Sequence, residues 1–287
     1  MELDEFATGS RLVLDDPRDA GVAALLLGSG FAIAHGFANI YAITARSDAD
    51  TVRRVNALKG RPADQVGSLT TPPDRVLHQF DLGQLPSGLT ADLVSAVVDA
   101  FQAVGPVGFR GPAAPHVPAC LTSSVEGVTT TQVIVPGVAC PSTDFLAQCW
   151  AAVGGSPLFI TSANRSRYIT GAPDAPAHWR AAALREELAD AEDLVFLEHA
   201  DEALALARFP RHLPTSTTII GFHHTQVAAG RVCLSLERHG SLSAEDVSSV
   251  LAPLGLGATV ARGAHDRLRP RTYPPEAAPF VRSSTGR

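Results

Sequence analysis

Lysine is almost absent from this chain of 287 residues. Of the 23 lysine and arginine residues only one, Lys59, is lysine, so arginine carries nearly all of the positive charge. A composition so rich in arginine, alanine, glycine and proline suggests a GC-rich genome that replaced lysine wherever arginine would serve. A guanidinium is a planar fork whereas an ammonium is a compact point charge, so a site that needs the ammonium cannot accept the exchange freely. Lys59 is therefore a candidate site residue, against the alternative that one surface lysine survived by chance.

The chain also lacks an excess of positive charge and any long apolar run. Its formal charge of −6 argues against a protein that wraps nucleic acid by bulk electrostatics, although a local basic groove stays open. The most apolar stretch, residues 22–34, is interrupted by Gly28-Ser29-Gly30 and is shorter than the roughly 20 residues of a membrane helix. The first residues, Met1 to Glu5, are acidic where a signal peptide would be basic. We expect a cytoplasmic protein with no membrane partner.

Motifs for several common sites are missing as well. The four cysteines form no Cys-x-x-Cys pair and have no histidine at a metal-binding spacing, so we predict buried thiols and no metal ligand. The adjacent pair His223-His224 has no carboxylate or cysteine beside it in sequence, which is more typical of a surface turn than of a metal site. No Rossmann or P-loop glycine pattern is present. The function must therefore be sought in other segments.

The elements that are present alternate irregularly between helix and strand. Asp15-Asp16-Pro17 caps a helix that runs to Leu27, and apolar spacing predicts a second helix from Ser47 to Leu58 that delivers Lys59-Gly60-Arg61 to the following loop. Further helices are predicted over 93–104, 144–153, 182–191 and from Ser243 onward, and strands over 10–14, 31–34, 40–43, 130–135, 157–161, 194–197, 217–221 and 232–236. The irregular order predicts an α/β protein with a twisted mixed sheet and packed helices.

The composition changes near the C-terminal end. Residues 262–287 contain four prolines interleaved with arginines and show little apolar periodicity, which is typical of an extended chain. The arginines of interest are Arg267, Arg269, Arg271 and Arg282. We therefore predict one domain over residues 1–258 and a Pro/Arg-rich tail over residues 259–287.

Three short polar segments lie at the ends of predicted helices or strands. They are Lys59-Gly60-Arg61, Ser162-Ala163-Asn164 and Thr215-Ser216-Thr217-Thr218. In order and spacing these segments resemble the YrdC-like family of threonylcarbamoyl-adenylate synthases, which carries K-x-R, S-x-N and S-T-x-x patterns. The segment from Glu237 to Ser243, which includes Arg238, is similar to the one that closes the family's domain, with His239 where proline is usual. The resemblance covers roughly residues 10–250 and implies a YrdC-like sheet with an open cleft.

The resemblance implies a nucleotidyltransferase that condenses an amino acid or another amine with bicarbonate and ATP. The product is a carbamoyl-adenylate, and Mg²⁺ is expected to accompany the phosphates. Lys59 and Arg61 would be the catalytic cations, one a point charge and the other a fork. The nucleotide would be bound by Lys59, Arg61, Ser162, Asn164, Ser216, Thr218 and Arg238, and the amine substrate by Asn39, Tyr41 and Arg61. Taken alone, Ser162 and Asn164 would also fit a capped turn.

Several positions depart from the family pattern. The family's P-T-[DE]-T-x-Y-G-L is represented here by Gly36 to Ile43, which keeps Tyr41 and its apolar character, while Ile134 and Gly108 replace an arginine and a threonine. These changes favour either an altered amine or a second class of function, a non-catalytic nucleotide- or RNA-binding module. A partner, such as an RNA or a protein that accepts the carbamoyl group, also stays open. The tail would be either a strap over the cleft, as in two-domain relatives, or disordered chain.

Overall fold

A computed structural model describes residues 11–166, 177–261 and 264 of the chain. Nearly all of the predicted tail, residues 262–263 and 265–287, lies outside the described residues. So do Arg267, Arg269, Arg271 and Arg282, and the choice between a strap and disordered chain stays a prediction. Among the described residues, none of the helices combines the length and apolarity needed to cross a membrane.

The described part of the chain contains seven α-helices. The predicted starts agree with the structure where a local cap sets them, because Asp16 accepts from Arg18 N before the first helix and Ser243 accepts from Asp246 N before the last. The α-helices are α1 Pro17–Gly28, α2 Ala49–Leu58, α3 Ala91–Val104, α4 Ser142–Ala152, α5 Ala181–Glu187, α6 Glu202–Arg208 and α7 Ala244–Leu251. Single 3-10 turns occupy Pro73–Arg75, Leu77–Gln79, Leu82–Gln84, Ala119–Leu121 and Ala252–Leu254.

Twelve strands form one mixed sheet. They are β1 Leu12–Val13, β2 Ala32–Phe37, β3 Ile40–Arg46, β4 Ser68–Thr70, β5 Val107–Pro112, β6 Thr122–Val125, β7 Val128–Val135, β8 Leu158–Ser162, β9 Leu194–Glu198, β10 Ile219–Ala228, β11 Arg231–Arg238 and β12 Gly257–Val260. The spatial order is β1-β9-β2-β3-β8-β4-β7-β5-β10-β11-β12, with β6 paired to β7. Parallel pairs such as β2 with β9 alternate with antiparallel pairs such as β3 with β8, so the predicted mixed sheet is confirmed.

Most predicted elements differ from the structure by a few residues at one or both ends, and two of these differences have a clear physical cause. The helix expected to reach Ala191 ends at Glu187, because Leu188 turns into the core and its backbone leaves the helical conformation. The strand expected to begin at Thr217 begins at Ile219. Thr217 binds Arg238 through its carbonyl and hydroxyl oxygens, and the Thr218 hydroxyl holds the 240–242 segment. The Thr218 carbonyl accepts from Gly108 N on β5, directly before the strand begins.

Apolar residues cover both faces of the sheet. On one face α1 and α4 pack against each other and over β2, burying a cluster that includes Leu26, Phe145 and Ile160. On the other face a larger cluster includes residues of α2, α3 and α7, such as Val55, Phe101 and Leu251. The cleft described below opens on the α1–α4 face, where side chains of β8, β4 and β7 form its base.

A β-bulge interrupts the pairing of β10 with β11. Ile219 pairs with Arg238 and Ile220 pairs with Leu236, which leaves Glu237 as an extra residue between them. Bulges of this kind re-aim side chains that would otherwise alternate strictly between the two faces. The bulge allows consecutive side chains of β11 to face the same side.

Candidate functional site

One open cleft collects residues from six separate stretches of the chain. One wall is apolar and is formed by Phe37, Ile40, Ala42, Ile134 and Ile160. The remaining lining is polar and comprises Arg61, Gln65, Ser68, Gln132, Thr161, Ser162, Ser216, Thr217 and Arg238, with Val66 and Gly67 between them. The three polar segments singled out in the sequence therefore meet in one place, and the arginine of the closing segment joins them.

Lys59 lies directly beneath this lining. It is the C-cap residue of α2, and its side chain is fully buried, so it is not a chance surface lysine. Its Nζ donates to the backbone carbonyl of Ser162 and lies 3.5 Å from the Ser162 hydroxyl. Burial and the charge of Arg61 hold the pKa of Lys59 well below its usual value, while Glu187 acts in the opposite direction. The ammonium thus ties the first polar segment to the second.

Two guanidinium groups reach the cleft. Arg61 Nη1 donates to the Thr161 hydroxyl at 2.7 Å. Arg238 donates from Nε to the Thr217 carbonyl at 2.7 Å and from Nη2 to the Thr217 hydroxyl at 2.9 Å. Each arginine is thereby fixed on the segment beside it. Two positioned cations among hydroxyl groups form an arrangement suited to an anion with several oxygen atoms, such as a phosphate chain.

The other members of the predicted nucleotide set have different positions. Ser162 and Ser216 line the cleft. Asn164 does not, and its amide donates to the Arg165 carbonyl at 2.8 Å, which fits the capped-turn interpretation. Thr218 is buried below the surface, where its hydroxyl donates to the Leu242 carbonyl and accepts from the backbone of Gly240 and Leu242. Thr218 therefore shapes the closing segment and presents no free group to a ligand.

No family model and no curated protein matches the sequence. Among solved structures, Sua5 from P. abyssi complexed with L-threonine superimposes with a TM-score of 0.58 and 18% identity, covering 84% of this chain and 59% of that one. A double variant of the same Sua5 gives a TM-score of 0.58 and 18% identity over 82% and 60% of the two chains. The chain has the Sua5 fold. The predicted YrdC-like architecture is thus confirmed, and the chain matches about 60% of the length of the Sua5 chains.

Within the Sua5 fold, Asn39 and Tyr41 lie away from the cleft. Asn39 follows Ala38, whose φ of 55° forms the tight β2–β3 turn, and its amide donates to the His212 carbonyl at 2.8 Å. Tyr41 alternates with the cleft-lining residues Ile40 and Ala42 and therefore points to the opposite face of β3. Its hydroxyl donates to Glu202 Oε1 at 3.0 Å and accepts from His199 N at 3.2 Å. The structure gives both residues packing and hydrogen-bonding roles.

Sequence reasoning missed Ser68 and Gln132, which form a polar corner of the cleft. Gln132 Nε2 donates to Ser68 Oγ at 2.6 Å across β4 and β7. Gln132 is two residues before Ile134 and so faces the same side of β7. Because side chains alternate along a strand, the position of Ile134 could have indicated that Gln132 also faces the cleft. Ile134 itself fills the space above Gly108, where a Cβ would lie 2.7 Å from the Ile134 Cδ1 atom. The two departures from the family pattern are therefore one packing change.

Proposed function

We propose that this protein forms a carbamoyl-adenylate from ATP, bicarbonate and an amino acid or another amine, releasing pyrophosphate. The observation that carries the proposal is the convergence of Arg61, Ser162, Ser216 and Arg238 on one cleft above the buried Lys59. The Sua5 fold supports it, since Sua5 from P. abyssi was crystallised with L-threonine. In the reaction the amine nitrogen forms a carbamate with bicarbonate and water leaves. A carbamate oxygen then bonds to the α-phosphorus of ATP as the bond to pyrophosphate breaks.

The cleft residues contribute by positioning and by charge. The guanidinium groups of Arg61 and Arg238 each present pairs of N–H donors that can bind two phosphate oxygens at once. The hydroxyls of Ser162 and Ser216 add neutral donors. The cleft would hold the carbamate oxygen in line with the α-phosphorus, so the entropy cost of bringing the two together is met on binding and not in the chemical step. Lys59 acts from below as a positioning residue, because its ammonium fixes the end of β8 through the Ser162 carbonyl.

Among the residues that the structure describes, those lining the cleft include no carboxylate. Mg²⁺ prefers oxygen ligands and keeps several waters. A magnesium ion that accompanies ATP would therefore be coordinated by phosphate oxygens and water, with hydroxyls such as Ser162 and Ser216 as the available protein oxygens.

A second candidate is a nucleotide- or RNA-binding module without turnover. The observation that favours it is the apolar wall, since Phe37, Ile40 and Ile134 present no hydrogen-bonding side chain to an amine. Calorimetry with ATP and a pyrophosphate-release assay separate the two candidates. An enzyme requires release that depends on both bicarbonate and an amine, whereas a binding module gives ATP affinity with no release from any amine.

The apolar wall predicts that L-threonine is a poor substrate. A hydroxyl placed against Phe37, Ile134 and Ile160 loses its hydrogen bonds to water, which costs about 1–3 kcal/mol. We expect pyrophosphate release to be slower with L-threonine than with L-valine, which has nearly the same shape and a methyl in place of the hydroxyl. Faster release with L-threonine would contradict this account of the wall.

A further inference from the structure

A charged pair, Arg110 and Glu237, lies beside the cleft on the same face of the sheet. Arg110 Nε is 2.9 Å from Glu237 Oε2, and the two side chains are 24% and 17% exposed. Arg110 pairs with Gln132 across β5 and β7 and donates from Nη2 to the Gln132 Oε1 at 2.8 Å. Because Gln132 lines the cleft, a single amide connects the Arg110–Glu237 pair to the cleft wall.

Two backbone features aim Glu237 at this position. The bulge in β11 makes Glu237 the extra residue opposite β10, so that its side chain can share a face with that of Arg238. Gly221 on β10 leaves the space that the carboxylate fills, because a Cβ there would be 2.4 Å from Glu237 Oε1. Bulges are over-represented beside active sites.

The Arg110–Glu237 pair is incompletely satisfied. Within the described residues, no acceptor is aligned with the buried Nε–H of Arg110. On the other side of Glu237, His223 Nε2 lies 3.3 Å from Oε1, and His223 is a buried strand residue rather than the turn residue predicted from sequence. Burial raises the pKa of Glu237 to about 7 although Arg110 acts to lower it. A further cation at this carboxylate, and a carboxylate at Arg110, would complete the pair.

We propose that the Arg110–Glu237 pair binds the amine substrate and that this substrate is an α-amino acid bound as its zwitterion. The Arg110 guanidinium receives the α-carboxylate and the Glu237 carboxylate receives the ammonium. Glu237 then takes one proton from the ammonium, and the free amine that results forms the carbamate with bicarbonate as water leaves. A buried charge without a partner is costly at such a site. When a zwitterion binds the ion pair, each of the four charges has a partner, so this cost does not arise. In the described part of the chain, the cleft lining supplies no carboxylate for an ammonium. The role of the ligand as substrate rests on the proposed carbamoyl-adenylate reaction.

The wild-type protein provides the first test. Calorimetry on the full chain would compare glycine, L-valine and L-threonine with their amides, which lack the negative charge, and with their N-acetyl derivatives, which lack the positive charge. We expect the tightest free amino acid to bind at least about tenfold better than either derivative, since each derivative leaves a charged partner without its counterpart. Equal affinity for the three forms, or no binding of any amino acid, would overturn the proposal.

Two isosteric variants assign the two charges. Arg110→Gln should remove the preference for the acid over the amide, and Glu237→Gln should remove the preference for the free amine over the N-acetyl form. Arg231→Gln, at the far end of β11, and Glu245→Gln, in the first turn of α7, are matched controls that should keep both preferences. An equal loss for every ligand form in both variants would indicate a purely structural pair and reject the assignment. If a variant melts below the assay temperature, the wild-type ligand series decides alone.

Failure of the subsite and failure of the proposed reaction give different results. Pyrophosphate release that depends on an amino acid, together with unchanged KM values in both variants, rejects the subsite and leaves the reaction intact. Selective binding of zwitterions without pyrophosphate release supports the subsite and rejects the reaction. ATP affinity should be unchanged in both variants, because Arg61 and Arg238 remain.

Discussion

At the scale of single residues, the buried ammonium of Lys59 is the most constrained group of the cleft. Its side chain has no exposed surface, and its Nζ is bound to the Ser162 carbonyl. An arginine at this position would need room for a larger planar group and would strain a packed interior. The same constraint accounts for a lysine in a chain that otherwise uses arginine.

Replacing Lys59 by Ala should weaken ATP binding at least about tenfold, because one charged hydrogen-bonding group beneath the proposed phosphate site is lost. Calorimetry of the purified variant would measure the change. Arg53→Ala is the matched control, since Arg53 is an exposed cation on the same helix α2, paired with Asp50. Unchanged ATP affinity in Lys59→Ala would remove Lys59 from the site.

The contribution of Lys59 should also depend on pH. Its pKa is held well below the usual lysine value by burial and by Arg61, so the ammonium is charged only below that lowered pKa. A bound phosphate favours the charged form, so ATP binding takes up a proton and weakens as pH rises through this pKa. The ratio of wild-type to Lys59→Met affinity should therefore fall with increasing pH. A ratio that does not change with pH while the protein stays folded would show that Lys59 does not sense the phosphates.

At the scale of elements, the β11 bulge and Gly221 depend on each other. Gly221→Ala should destabilise the protein by about 1 kcal/mol, because the new methyl displaces the end of the Glu237 side chain from its pair with Arg110. In the double variant with Glu237→Ala the obstacle is gone, and most of this loss should be recovered. Urea denaturation of the two single variants and the double variant measures the coupling. If the losses in the free energy of unfolding are additive, the added methyl clashes with the strand itself and not with the Glu237 carboxylate.

Elements set by local signals were predictable, and those set by distant contacts were not. The start of α1 was predicted because Asp16 and Pro17 define it within one turn. The bulge at Glu237 was not predicted, because it reflects pairing with β10 and the space left by Gly221. The motifs located Arg61 and Ser162 in the cleft but misplaced Tyr41, because a motif does not say which face of β3 a side chain takes. Strand order, such as β1 beside β9, has no local signal.

At the scale of the whole molecule, the continuous sheet predicts one cooperative unfolding transition. The two-residue strand β1 pairs with the distant strand β9, with Leu12 opposite Leu197, and β4 lies between β8 and β7. We expect the fluorescence of the two tryptophans, Trp150 and Trp179, and the far-UV circular dichroism to report the same urea midpoint, and saturating ATP to raise that midpoint by mass action. Two separated midpoints would show that the two sides of the sheet unfold independently.

The wide spacing of the cleft residues along the chain has a consequence for synthesis on the ribosome. Along the chain, the first residue of the cleft lining is Phe37 and the last is Arg238, at the end of β11. A nascent chain that has emerged as far as β10 carries Arg61 and Ser216 without the second guanidinium. Nucleotide would thus be captured late, by a chain whose sheet is almost finished, and an unfinished polypeptide would not sequester ATP while it is being made.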